Sequence, residues 1–127
     1  MNKILVIILT SFLLISCYGK IINCALSSCS TLPGDTKVDL STQSFAAKQA
    51  FSQIRYLYPN CSSYESYKIS NTTVTSYGEW KYGPSWKESW KINACGTEWI
   101  VPMHFEADGK GNTNVGTSAN WIKRVDQ

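Results

Sequence analysis

The sequence predicts a small α+β domain, one N-terminal helix packed on a three to four stranded antiparallel sheet and stapled to it by a disulfide. Three observations lead there. Apolar residues from Ser44 to Tyr58 recur with the helical period. Two runs of alternating aromatic, β-branched and polar residues flank Ala94-Cys95-Gly96, the signature of paired strands. One cysteine, Cys61, falls just past the helix and another, Cys95, at the hairpin tip. The chain has 127 residues, room for one domain with a single modest core once its start is removed.

In the helix, Ala47, Ala50, Phe51, Ile54 and Leu57 share one face, while Lys48, Gln49, Ser52 and Arg55 lie elsewhere. Ser41, Thr42 or Ser44 supplies a cap for its amino end. Pro59 ends it, since proline lacks the donor and restricts the residue before it.

Ser66 to Tyr77 is rich in Tyr, Thr, Val and Ile and reads as one strand, or two with a break near Asn71. Gly78 to Ser85, with two glycines and Pro84, reads as a loop carrying Trp80 and Tyr82. From Trp86 to Cys95, alternation puts Trp86, Glu88, Trp90, Ile92 and Ala94 on the core side. Glu88 then needs a donor, because a buried unpaired carboxylate costs several kcal/mol; an indole N–H, a tyrosine hydroxyl and Arg55 are the candidates. In the next strand Trp99, Val101, Met103 and Phe105 face the core, and Pro102 demands an edge or a bulge. Asp108 to Gly111 is a turn, Asn112 to Thr117 a weak last strand, and Trp121 with Ile122 folds back onto the core.

The chain start is a targeting signal. Lys3 precedes an uncharged run, Ile4 to Ser16, too short to span a bilayer, so residues 1–16 read as a signal peptide. The run closes on Leu14-Ile15-Ser16-Cys17, which resembles a bacterial lipobox and makes Cys17 the lipid-attachment residue. Acyl chains there anchor the protein to a membrane, each buried methylene contributing about 0.8 kcal/mol. Two other readings stay open: lipidation at Cys29, after Leu26-Ser27-Ser28, and ordinary cleavage near Gly19 or Ala25. Residues 17–40 read as a lipidated flexible tether and 41–127 as the domain.

Five cysteines, Cys17, Cys24, Cys29, Cys61 and Cys95, are an odd number for an oxidising compartment. Lipidating Cys17 leaves four to pair; lipidating Cys29 leaves two. Both cases keep Cys61 with Cys95, closing a loop of about 35 residues worth roughly 3 to 4 kcal/mol. Cys24 and Cys29 form a small second loop in the Cys17 case.

Little else points to chemistry. A formal net charge of +3, partly carried by Lys3, argues against nucleic acid. No C-x-x-C occurs and His104 is the single histidine, so no metal or other cofactor is expected. Asp108 to Asn114 fails as a calcium loop, since Lys110 occupies a ligand position. No serine lies in a G-x-S-x-G turn, and His104 reads as a surface residue of an outward face. A non-enzymatic protein is therefore expected. Aromatic density remains: Trp86, Trp90 and Trp99 belong to the core, whereas Trp80 and Tyr82 are candidate partner-binding residues.

The pattern Tyr58-Pro59-Asn60-Cys61, then Trp86-x-Glu88-x-Trp90-x-Ile92-x-x-Cys95-Gly96, then Val101-Pro102-x-x-Phe105 and a Gly-rich turn, resembles small bacterial envelope lipoproteins of unassigned function. The resemblance covers roughly residues 45–117. It implies a helix on a small antiparallel sheet with a Cys61 to Cys95 bridge, and no activity. The expected role is an accessory or binding module for another protein, of secretion-accessory or immunity type. A glycan or peptidoglycan module using exposed aromatics is the alternative. Tyr18, not an aspartate, follows Cys17, which favours the periplasmic face of the outer membrane.

Overall fold

The computed structural model describes residues 32–125, and the expectations for Cys17, Cys24 and Cys29 lie outside them. It is an α+β fold: one helix, α1 (Leu40–Leu57), packs on a five-stranded antiparallel sheet. The strands are β1 (Tyr67–Trp80), β2 (Gly83–Ala94), β3 (Thr97–Ala107), β4 (Thr113–Gly116) and β5 (Lys123–Arg124). The order is β1-β2-β3-β4, with β5 also pairing β3.

Helix α1 begins four residues earlier than its period suggests, because Asp39 is the cap. The Asp39 carboxylate accepts from the Thr42 N–H at 3.2 Å and the Ser41 hydroxyl at 3.1 Å, and its carbonyl accepts from the Thr42 and Gln43 N–H groups at 3.1 and 3.0 Å. Ala46, Ala47, Ala50, Phe51 and Ile54 are buried, and the small alanines let the helix lie close to the tryptophan-lined sheet. Leu57, expected on that face, is exposed.

Strand β1 is continuous, but its register slips between Ile69 and Asn71 and between Val74 and Ser76. The first slip is where the sequence suggested a break. Such bulges twist a long edge strand and protect it from adding another. The stretch expected to be a loop is instead a hairpin end: Trp80 pairs with Gly83 around Lys81 and Tyr82, and Gly83 supplies the positive φ of 134°.

Between β2 and β3 the pairing runs unbroken from Ser85↔Glu106 to Ala94↔Thr97. Its inward rows carry Trp86, Trp90, Ile92, Trp99, Val101, Met103 and Phe105, all buried. Trp86 stacks on Phe105 with centroids 5.2 Å apart, and Phe51 from the helix meets Tyr67 at 5.0 Å. Pro102 pairs with Ser89 of β2, and on its other side, in the gap between β4 and β5, its carbonyl accepts from the Thr117 hydroxyl at 2.9 Å. The missing N–H therefore interrupts no ladder. From Thr117 the chain crosses this gap. Its Ala119 N–H donates to Gln53 of α1, Ile122 packs against the core, and Trp121 does not join it.

Cys61 and Cys95 are bonded, their Cα atoms 5.9 Å apart. The Cys95-Gly96 turn puts both residues at positive φ, 50° and 79°, as a tight two-residue hairpin requires. Asn93 accepts from the Gly96 N–H at 3.2 Å. The helix end and hairpin tip are thus joined, with the Tyr67 hydroxyl donating to the Cys61 carbonyl at 2.6 Å beneath them.

The domain starts before residue 41. Residues 32–39, expected to belong to a flexible tether, are a strap laid on the sheet, with Leu32 and Val38 buried. The Asp35 N–H donates to the Thr72 carbonyl, and the Thr72 hydroxyl donates to the Pro33 carbonyl. Gly34, at φ 98°, passes so near Thr72 that an added Cβ would lie 2.1 Å from its carbonyl oxygen. Composition hid this, because a strap held by backbone and side-chain hydrogen bonds shows no hydrophobic period.

Candidate functional site

The sheet has two faces of different character. Alternation along β2 and β3 sends the large apolar side chains to α1 and leaves Ser85, Lys87, Ser89, Pro102 and His104 on the opposite face. Among the described residues no helix covers that second face.

On the covered side, Glu88 is 1% exposed and fully engaged. One carboxylate oxygen accepts from the Trp86 indole N–H at 2.9 Å and the Lys37 N–H at 2.8 Å. The other accepts from the Trp90 indole N–H at 2.6 Å, and the Thr36 hydroxyl bridges both at 3.0 and 2.8 Å. The spacing Trp-x-Glu-x-Trp produces this, since all three side chains leave one face of a strand. Of the donors considered, the indoles are used and neither a tyrosine nor Arg55 is. Thr36 and Lys37 were missed, because nothing in a Ser/Thr/Pro-rich stretch marks it as a carboxylate cradle. Glu88 is therefore a structural clasp between sheet and strap, with no spare capacity for a ligand.

The residues expected to meet a partner lie at the β1–β2 tip. Trp80 is 56% exposed and Tyr82 53%. Tyr82 rests on Gly109 of the β3–β4 turn, where an added Cβ would be 3.0 Å from the ring, so the two turns brace each other. Lys81 lies over the Tyr82 ring at 5.2 Å from its centroid. In the neighbouring turn the Asp108 carboxylate accepts from the Lys110 and Asn112 N–H groups, and these bonds hold its pKa below the usual carboxylate range. Through these bonds Asp108 organises the hairpin turn.

The uncovered face holds a groove of about 400 Å³ lined by Thr75, Lys87, Ser89, Pro102, His104 and Trp121, with backbone of Glu88 and Met103 as floor. Trp121, 50% exposed, forms one wall. His104 is half-buried here, its Nε2 3.3 Å from the Ser85 hydroxyl. Among the described residues no carboxylate hydrogen-bonds this ring, so the pair lacks the third group that orients a catalytic histidine. Elsewhere, Trp99 packs against Tyr58 and beneath Arg124, and its buried indole N–H has no partner among the described residues. Among the described residues no three His, Cys, Asp or Glu side chains converge, and no helix is long and apolar enough to cross a membrane.

Comparison with known proteins yields no match to any family model, curated protein or solved structure.

Proposed function

We propose that this chain is an exported, lipid-anchored envelope protein, held through Cys17 at the periplasmic face of the outer membrane, and a non-enzymatic binding module for another protein. The observation that carries the reading is the β1–β2 tip. Trp80, in the last pair of the hairpin, and Tyr82, in its braced two-residue turn, stay more than half exposed where polar residues would close the hairpin as well. Rigid aromatic side chains bury large areas at small entropic cost, which suits them to anchoring an interface. The Cys61–Cys95 bond supports an oxidising destination, and the apolar run before Cys17 supports export. The likeness of the Tyr-Pro-x-Cys and Trp-x-Glu-x-Trp patterns to envelope lipoproteins supports the anchor.

The test is affinity purification of the tagged protein from its own envelope, with and without Trp80→Ala/Tyr82→Ala. One dominant co-purifying protein, lost in the double variant while the thermal midpoint stays within about 3 °C, is the expected result. Undiminished recovery by the double variant contradicts the assignment of the tip.

A further inference from the structure

We propose that the groove on the helix-free face is a second binding site, for a sugar ring that carries a carboxylate. Its volume falls in the range of small-ligand sites. Its chemistry has three parts. The Trp121 ring offers an aromatic wall for the C–H face of a pyranose. Ser89 and Thr75 add hydroxyls that both donate and accept, matching sugar hydroxyls. Lys87 and His104, adjacent across β2 and β3, add nitrogen donors and a positive charge.

Charge selects the acid over the neutral sugar. By alternation this face carries Lys68, Lys87, Lys91 and Lys123 against two carboxylates, Glu98 and Glu106. Glu98 is 3.9 Å from Lys91, and Lys87 has no carboxylate partner among the described residues. Glu88 adds no negative side chain to the groove, since its carboxylate is on the other face among the indoles and the strap. The backbone leading to Trp121 is anchored by Thr117 on Pro102 and by Ala119 on Gln53, which brings the ring to the groove.

The experiment follows indole N–H resonances of the ¹⁵N-labelled mature protein, disulfide intact, in detergent micelles, the Trp121 signal being assigned with Trp121→Phe. Probes are trigalacturonic acid, N-acetylmuramic acid and sialyllactose, with chitotriose as the neutral sugar and Glu-Phe-Glu as an acidic peptide. At least one acidic sugar shifts Trp121 saturably and binds at least about tenfold tighter than chitotriose. Which acid responds identifies the source of the ligand. Lys87→Glu, followed on the Trp121 indole signal, and Trp121→Ala, followed on the Lys87 and His104 backbone amide signals, each weaken that binding about tenfold, and Trp80→Ala/Tyr82→Ala leaves it unchanged. Should Trp121→Ala not fold, the exposed Lys87→Glu decides alone. Equal response to chitotriose, response to the peptide alone, or an unmoved Trp121 signal with all three acids overturns the proposal. None of these outcomes touches the protein-binding role of the tip, which is read out by the double variant.

Discussion

Glu88 shows how one residue ties strand, helix approach and strap together. Its two oxygens serve four donors, two of them indoles of the core and two from residues 36 and 37. Replacing it with glutamine substitutes an NH2 group for one oxygen and turns at least one donor pair toward another donor. A buried donor left unpaired costs about 1–3 kcal/mol, so Glu88→Gln lowers unfolding free energy by about 2 kcal/mol or more in urea titration. Exchange of the Lys37 amide accelerates along with it, and a loss under about 0.5 kcal/mol would show that the clasp is ornamental. Asp39 is the second residue whose chemistry is readable. Hydrogen bonding from Thr42 is the largest cause of its low pKa, outweighing partial desolvation, and Ser41 adds to it. A carboxylate whose folded pKa lies below its unfolded value contributes stability above the unfolded pKa and loses it as pH falls through the folded one. Asp39→Ala therefore costs about 1 kcal/mol at pH 7, and the difference from wild type shrinks as pH drops below the ordinary carboxylate range. A pH-independent difference would assign the cost to something other than the charge.

At the scale of elements, the helix and the β2–β3 hairpin were legible because each repeats a period over several turns or rows. Trp86, Trp90, Trp99 and Phe105 all face inward as their alternation requires. The long β1–β2 hairpin was not, since Gly78, Gly83 and Pro84 read as loop residues and pairing across the tip overrode that local preference. Pro84 is tolerated at the outermost rows, paired with Glu79 beside the turn. The disulfide connects these elements at the opposite end. Removing it in Cys61→Ala/Cys95→Ala frees the unfolded chain and costs about 3–4 kcal/mol in the chain-entropy account. Cys95 also occupies a left-handed backbone position, φ 50°, which alanine resists. Cys61→Ala/Cys95→Gly is accordingly more stable than the double alanine variant by about 1 kcal/mol, measured by the same urea titrations. Equal stabilities would mean that the turn relaxes once the cross-link is gone.

For the whole molecule, the sheet divides the work. One face, the helix and the strap enclose an aromatic core; among the described residues the other face carries no α-helix, and the β1–β2 tip is exposed. The tip aromatics were visible in the sequence as large side chains in a Gly/Pro-rich stretch. The groove was not, because Trp121 reaches Lys87 and His104 only through a crossover that no local pattern announces, anchored by Thr117 and Gln53. The strap also moves the start of the domain, since from Leu32 onward the chain is laid on the sheet. Export, anchor and cross-link are each read by intact-mass and peptide mass spectrometry of the protein purified from envelopes. The account predicts a mature chain that begins at an acylated Cys17 and carries Cys61 bonded to Cys95. A chain that retains Met1 to Ser16, with Cys61 and Cys95 as free thiols, would contradict it.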